Sequence, residues 1–357
     1  MGSKLRIAVV ANANSIHTIR WVKWLRKKKH EVTVFSLNEG EDCVYFGPEP
    51  ALDRSLIFNL GKNVRKTTNE LQTKINEFKP DLIHGFFLVN HGMYASRIKG
   101  YPKVVTALGS DVLIAPNESK LMSWIVKKTV KDSDLIISVA DHLNSVVSPW
   151  KKNHVESISS PLGIDVKKFK PLKKENLIIF NRGFKKVYSP LTLVEAISEI
   201  SDEIKDYKVI MCGEGPLLEA CKNYVNKQSL NDLISFSGFI PNEDLVDLLG
   251  RAKILVSPAL SDGTPVSILE GLASGCIILS SQIPANKFWT VENKTGLSFD
   301  AKNSLQLSDC ILKAVNDKSI EQNALIHGPE MVEKYADWNT EMLRIEEKYY
   351  NLVKIAK

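Results

Sequence analysis

Short apolar runs alternate along the whole chain with longer stretches in which apolar residues recur every three or four positions. The runs read as strands and the stretches as the helices that cover them. In the first half the predicted strands are Leu5–Val10, Val32–Phe35, Leu82–His84, Val104–Thr106, Leu135–Ser138 and Val155–Ile158. In the second half they are Leu177–Phe180, Lys208–Cys212, Ile234–Ser237, Ile254–Ser257, Ile277–Ser280 and Leu297–Phe299. Apolar runs without polar alternation suit parallel strands buried on both faces, so the fold class is α/β. Two domains follow, separated where a proline and a lysine cluster interrupt the pattern between Asp165 and Lys174. The expected spans are 1–168 and 169–336, with 337–357 as a C-terminal helix that carries Trp338, Tyr349 and Tyr350. Ligands of such sheets bind outside the carboxyl ends of the strands, so the two domains are expected to face each other across a cleft.

The richest segment runs from Ser257 to Gly275 and sets Asp262 and Glu270 across the start of a helix, with seven residues between them. Thr264 reads as the N-cap and Pro265 as the first helical residue. Backbone groups of Gly263, Thr264, Val266 and Ser267 would then lie at the positive end of the helix, a site for a sugar or a phosphate. An ordinary capped helix explains the same residues. Arg182 stands just past a predicted strand, where a guanidinium can grip a diphosphate through two parallel hydrogen bonds. A surface arginine is the plainer reading. Gly213-Glu-Gly-Pro216 and Gly238-Phe-Ile-Pro241 follow later strands and suit either close approach to a ligand or simple turns.

The order of these motifs, together with His30-Glu31-Val32, Lys185-Lys186, and Pro161-Leu-Gly-Ile-Asp165 with Phe169, resembles the family 4 retaining glycosyltransferases of the GT-B fold. The resemblance runs from the first strand to Trp338. It implies two Rossmann-like domains, with the C-terminal helix crossing back to the first. It also implies that Glu270 accepts hydrogen bonds from the ribose hydroxyls and that Asp262 meets the transferred sugar. Arg182 and Lys186 would clamp the diphosphate. Gly213 and Gly215 would admit the nucleoside, Phe239 and Ile240 would border the base, and Gly263, Thr264, Pro265, Val266 and Ser267 would cradle the rest of the donor. A UDP-sugar is the donor favoured by the family, a GDP-sugar the next.

Several positions depart from the family pattern. Asp262 stands where most members have Glu, one methylene longer. The family lysine would fall near Val187, so Lys186 is one position short, and Tyr188 fits a related pattern instead. Leu108 occupies the place of a common histidine, leaving Asp111, His84 and His91 as the polar candidates of the first domain. His84 is carried as a catalytic candidate, and His91 and Asp111 as acceptor-side ones. Asn14 and His17 join the acceptor side at the first strand-to-helix turn, where the usual glycines are missing. Lone histidines are more often structural than chemical.

Charge is uneven: residues 1–170 carry 26 Lys and Arg against 16 Asp and Glu, a net of +10, and the remainder nets −4. A basic half suits a phosphorylated substrate, an anionic membrane or nucleic acid, and no nucleic-acid-binding motif is present. Trp21 and Trp24 lie beside Arg20, Lys23, Arg26, Lys27, Lys28 and Lys29, and a second cluster holds Met122, Trp124, Ile125, Lys127 and Lys128. Such clusters suit the headgroup layer of an anionic membrane, or else helices that face a core. Five cysteines without metal-ligand spacing read as reduced, structural thiols. No apolar run reaches the ~20 residues that span a bilayer, and a strand begins almost at once, so a cytoplasmic protein is expected, at the inner face of the membrane if the basic clusters bind lipid.

With no Asp-x-Asp beside Asp262 and no close histidine pair, no divalent metal is expected and side-chain cations take its place. The functional expectation is a retaining, metal-independent glycosyltransferase acting on a hydroxyl acceptor, such as a lipid-linked glycan or another precursor of cell-surface glycans. The alternatives are another GT-B enzyme, such as a nucleotide-sugar epimerase, and a non-catalytic nucleotide-sugar-binding protein of the same fold.

Overall fold

The computed structural model describes residues 4–48 and 57–356. The expected spans include 1–3, 49–56 and 357, which lie outside the described residues. The chain divides into two compact units, Met1–Pro161 with Met342–Lys357, and Leu162–Glu341.

The first unit holds a seven-stranded sheet of β1 (Arg6–Val10), β2 (Glu31–Ser36), β3 (Cys43–Tyr45), β4 (Leu82–Phe86), β5 (Lys103–Ala107), β6 (Leu135–Ser138) and β7 (Glu156–Ser159). Its order is β3-β2-β1-β4-β5-β6-β7, and every described pairing is parallel. The predicted strands are all present, and β3 is an addition. Three half-exposed residues at the sheet edge are too short a run to stand out from a loop.

The second unit holds β8 (Glu175–Asn181), β9 (Lys208–Cys212), β10 (Ile234–Gly238), β11 (Ala252–Ser257), β12 (Ile277–Ser281) and β13 (Gly296–Phe299). They pair in parallel in the order β10-β9-β8-β11-β12-β13. Along β8 the side chains alternate between two cores: Ile178 and Phe180 join one, Leu177 and Ile179 the other. Both faces of the sheet are thus covered, which is why its strands read as unbroken apolar runs. From β8 the chain first builds outward through β9 and β10, then returns to lay β11 on the opposite side. The β8/β11 boundary is the point where strand order reverses, the place where ligands of such sheets bind.

Within the first unit, the helix Ile16–Lys27 buries Thr18, Trp21, Val22, Trp24 and Leu25, a stripe of helical period. Both tryptophans therefore belong to the core, which removes them from the lipid-facing reading. The helix ends at Lys27, and Lys29, with a φ of 71°, lies outside the helical region. The C-terminal helix Trp338–Ala356 brings Tyr349 into the same core, where its hydroxyl lies 2.6 Å from His84 Nδ1 and accepts from Trp21 Nε1 at 3.3 Å.

In the second unit, Lys174 donates from its ammonium to the carbonyls of Gly250, Ala252 and Ser274 at 3.0, 2.8 and 2.6 Å. One cation thereby satisfies groups at the ends of two helices, Asn242–Arg251 and Val266–Ala273. Replacing it with Met removes a donor from all three carbonyls, although Gly250 still accepts from the Leu172 N–H and Ala252 from the Cys276 thiol. We expect Lys174→Met to lower unfolding stability by about 2–4 kcal/mol, read as a shift in urea midpoint at unchanged slope. A midpoint equal to the parent's would show that water replaces the ammonium at no cost.

Candidate active site

Arg182 follows β8 directly and Asp262 lies in the loop after β11, so the two residues stand on either side of the reversal point. Their side chains form an ion pair between Arg182 Nη2 and Asp262 Oδ2, with only 12% and 13% of each exposed. The ring of Tyr188 lies under the guanidinium, 4.0 Å from its central carbon to the ring centroid. Arg182 Nε is buried and has no hydrogen-bond partner among the described residues. Asp262 is held from its other side, Oδ1 accepting the Gly263 N–H at 2.8 Å. A further bond, Leu260 N–H to Val187 carbonyl at 2.7 Å, ties the loop bearing Asp262 to the turn bearing Tyr188.

Glu270 projects from the helix Val266–Ala273 and accepts from Asn181 Nδ2 at 3.3 Å. The two acidic residues of the motif are therefore linked to consecutive residues at the end of β8, Glu270 to Asn181 and Asp262 to Arg182. Asn181 is the member that sequence reasoning missed, and Tyr188, named there as fitting a related pattern, was passed over for Lys186. A polar residue that ends a buried strand, and an aromatic residue six positions after the arginine, were the available signals.

The glycines have a local explanation. Gly213 and Gly215 adopt φ of 122° and 151°, and a Cβ there would fall 2.5 Å from the Arg182 carbonyl and 2.6 Å from the Phe184 carbonyl. Their lack of a side chain lets the protein's own Arg182–Phe184 backbone pass, which differs from the expected approach of a nucleoside. Phe184 then locks the turn, its N–H donating to the Glu214 carbonyl and its carbonyl accepting from Leu217. After β10, Phe239 is 77% exposed while Ile240 packs on the core.

The helix start differs from expectation. Its first residue is Val266 and its N-cap Pro265, because the Thr264 hydroxyl accepts the Leu162 N–H at 3.2 Å instead of capping. Gly263 and Val266 N–H groups are taken by Asp262 Oδ1 and the Thr264 carbonyl, so the expected cradle is partly filled from within. Ser267 is buried, with a hydroxyl that lacks a partner. Lys186 is exposed on a one-turn 3₁₀ helix, Lys186–Tyr188, and it is Tyr188 that reaches the guanidinium.

In the first unit the candidates separate. His84 is a core residue: Nε2 lies 2.6 Å from Thr106 Oγ1, Nδ1 is shared with Tyr349, and burial pushes its pKa down to about 3. Both ring nitrogens are occupied, which corrects the catalytic expectation. His91 is buried too, accepting the Leu37 N–H at 3.3 Å, with its pKa pushed down to about 4 by burial. Asp111 is fully buried and accepts from the backbone of Leu88, Leu108 and Gly109, so it braces two loops and is not open to an acceptor. Burial raises its pKa and those backbone donors oppose the rise. Asn14 remains exposed; it donates to the Glu39 carbonyl at 2.9 Å and borders a cavity of about 670 Å³ with Lys23, Arg26 and Asp42. His17 is half-buried, its pKa lowered by burial and by Arg20. Among the described residues no group of three His, Cys, Asp or Glu side chains is placed to hold a metal ion.

Comparison with known proteins gives matches to both units. A family described as glycosyl transferases group 1 matches residues 164–329, and one described as glycosyl transferase 4-like matches residues 6–140. An uncharacterized glycosyltransferase of Methanocaldococcus jannaschii is 23% identical over 76% of each chain. The 2-deoxystreptamine N-acetyl-D-glucosaminyltransferase of Niallia circulans is 25% identical over 58% of this chain and 52% of its own, so the chain spans about half of that relative. Among solved structures, Anabaena HepE in complex with UDP and glucose superposes with a TM-score of 0.77 at 13% identity, over 96% of this chain and 99% of that one.

The buried histidines have a consequence in acid. Folding holds His84 and His91 below the ordinary value of 6.5, so the unfolded chain takes up protons that the native state refuses. Their contribution to stability is complete above about pH 6.5 and is lost progressively as pH falls toward 4 and 3. At pH 5 we expect unfolding stability about 2–4 kcal/mol below that at pH 7, and a shallower fall in His84→Gln. Denaturant titrations at the two pH values measure it; equal slopes in parent and variant would contradict the assignment.

Proposed function

Because the chain belongs to the family 4 type of glycosyltransferases with the GT-B fold, we propose that it moves a sugar from a nucleoside diphosphate sugar to a hydroxyl acceptor with retention of configuration and without a divalent metal. The observation that carries this reading is the Arg182–Asp262 pair at the strand reversal, with Glu270 beside it on the Asn181 amide. Glu270, a carboxylate on a rigid helix, is suited to accept from two ribose hydroxyls. Asp262, freed toward the donor, meets the sugar.

The bond that breaks joins the anomeric carbon to the distal phosphate oxygen. The acceptor oxygen bonds to that carbon on the face the phosphate leaves, and the departing phosphate takes the hydroxyl proton. Negative charge builds on the phosphate as the bond lengthens, and Arg182 is the cation at hand. A preorganised donor aimed at developing charge contributes about 2.7–4 kcal/mol, against about 0.3–1 kcal/mol for an exposed helix end. The guanidinium therefore outweighs the partly filled helix start. Uridine is favoured as the base, supported by the UDP held in the similar Anabaena structure, with guanosine next. Incubation with a panel of nucleotide-sugars, scored for nucleoside diphosphate release and for the anomeric configuration of the product, tests the reading. Hydrolysis or transfer with inversion would overturn it.

The acceptor we favour is a lipid-linked glycan or another precursor of cell-surface glycans, met at the cytoplasmic face of an anionic membrane. With Trp21 and Trp24 in the core, support for membrane contact rests on the helix Lys120–Lys131, whose exposed stripe runs Lys120, Trp124, Lys127, Lys131. Trp124 is 53% exposed there. No described helix is long and apolar enough to cross a membrane, so such contact would be peripheral.

Arg182→Ala is expected to lower kcat by about 10²- to 10³-fold while the protein stays folded, and the parent should keep its activity in chelator. Loss of activity in chelator with recovery on adding a divalent metal would contradict a guanidinium acting alone. On vesicles, each lysine near the surface contributes about 1 kcal/mol, so replacing Lys120 and Lys127 by Gln and Trp124 by Ala should abolish salt-sensitive binding to anionic lipid. Co-sedimentation equal on neutral and anionic vesicles would leave a soluble acceptor as the better choice.

A further inference from the structure

The surroundings of Arg182 divide by direction. Tyr188 covers the face of the guanidinium at 4.0 Å, Asp262 occupies one edge, and the buried Nε–H has no partner among the described residues. Phosphate oxygens bind a guanidinium in its plane, along the edges where its N–H groups point. A ring on the face does not obstruct them, whereas a carboxylate on an edge occupies one of the places they need. Asp262 is also tethered independently through Oδ1 to Gly263, so release of Oδ2 from Arg182 leaves the carboxylate anchored in the site.

We propose that Tyr188 and Asp262 are both positioning residues for Arg182, with opposite consequences for the donor. Tyr188 fixes the plane of the guanidinium whether or not the site is filled. Asp262 neutralises it only while the site is empty and is displaced from it by the diphosphate. The exchange is favourable because a diphosphate brings more charge than one carboxylate, can engage two N–H groups at once, and can satisfy the orphaned Nε–H. It also orders events: the carboxylate that contacts the sugar becomes available only when the diphosphate has taken its place on the cation. The inference rests on the donor-site reading above.

Calorimetry with UDP and GDP, each set against its own nucleoside, tests both residues. Asp262→Asn, which removes the competing charge, should bind the diphosphates about fivefold tighter than the parent, although turnover falls because the sugar contact is lost. Tyr188→Leu should bind them about tenfold more weakly with nucleoside affinity unchanged, and Tyr188→Phe, which keeps the ring face, should stay within about twofold of the parent. A purely structural role would weaken diphosphate and nucleoside together in both variants. Diphosphate binding by Asp262→Asn no tighter than by the parent overturns the proposal, even where Tyr188→Leu fails to fold. So does Tyr188→Leu with the parent's affinity. If the parent itself binds diphosphates no better than nucleosides, the donor-site reading fails instead.

Discussion

Both sheets are parallel and buried on both faces, and that constraint decides where chemistry can occur. A strand such as β8, with Ile178 and Phe180 in one core and Leu177 and Ile179 in the other, has no face left for a polar group. Side chains that could meet a ligand are left to the strand ends, and the point of reversed strand order is the end where such sheets bind ligands. Asn181 and Arg182 leave β8 there, and Asp262 follows β11 on the other side. The site is thus a consequence of covering the sheet.

Strands were legible because the same constraint writes itself into the sequence. A strand covered on both faces appears as an unbroken apolar run, and every run expected on this basis is a strand. What the constraint does not reach was not legible. β3 is short and half-exposed. Thr264 has the residue type of an N-cap, yet its hydroxyl goes to Leu162, 102 positions earlier. Nothing local to His84 indicates that Tyr349, 265 positions later, occupies its Nδ1. The last two outcomes were set by a partner distant in sequence, where propensity carries no information.

The candidate site divides in the same way. Arg182, Asp262 and Glu270 were named from a strand end, a seven-residue spacing and the family-like order of motifs, and they form two pairs, Arg182–Asp262 and Asn181–Glu270, on consecutive residues at the end of β8. Around them, the glycines of Gly213 and Gly215 have a cause internal to the fold, the close passage of the Arg182–Phe184 backbone. A motif can therefore bring its residues to one place in the fold while the reason for some of them is architectural. Those glycines let the turn that presents Arg182 pack against its neighbour, so their effect is on the placement of one guanidinium.

Charge argues for the same centre. The basic surplus lies in residues 1–170, and the remainder of the chain, which carries Arg182, nets −4. Long-range attraction from that part of the chain would not favour an anionic donor, and at physiological salt such fields fade over about 8 Å. A diphosphate must then be held by local, preorganised donors. Arg182 fits this demand: it is mostly shielded from water, stacked on a ring so that its plane is fixed, and paired with a carboxylate that keeps the empty site neutral. Shielding strengthens its attraction for an incoming anion, while the pairing limits the cost of burying a lone cation. Removing the carboxylate alone would leave a strong but unbalanced charge, and removing the ring would leave a balanced but mobile one. For the proposed donor site the two are complementary, the carboxylate balancing the charge and the ring fixing its plane.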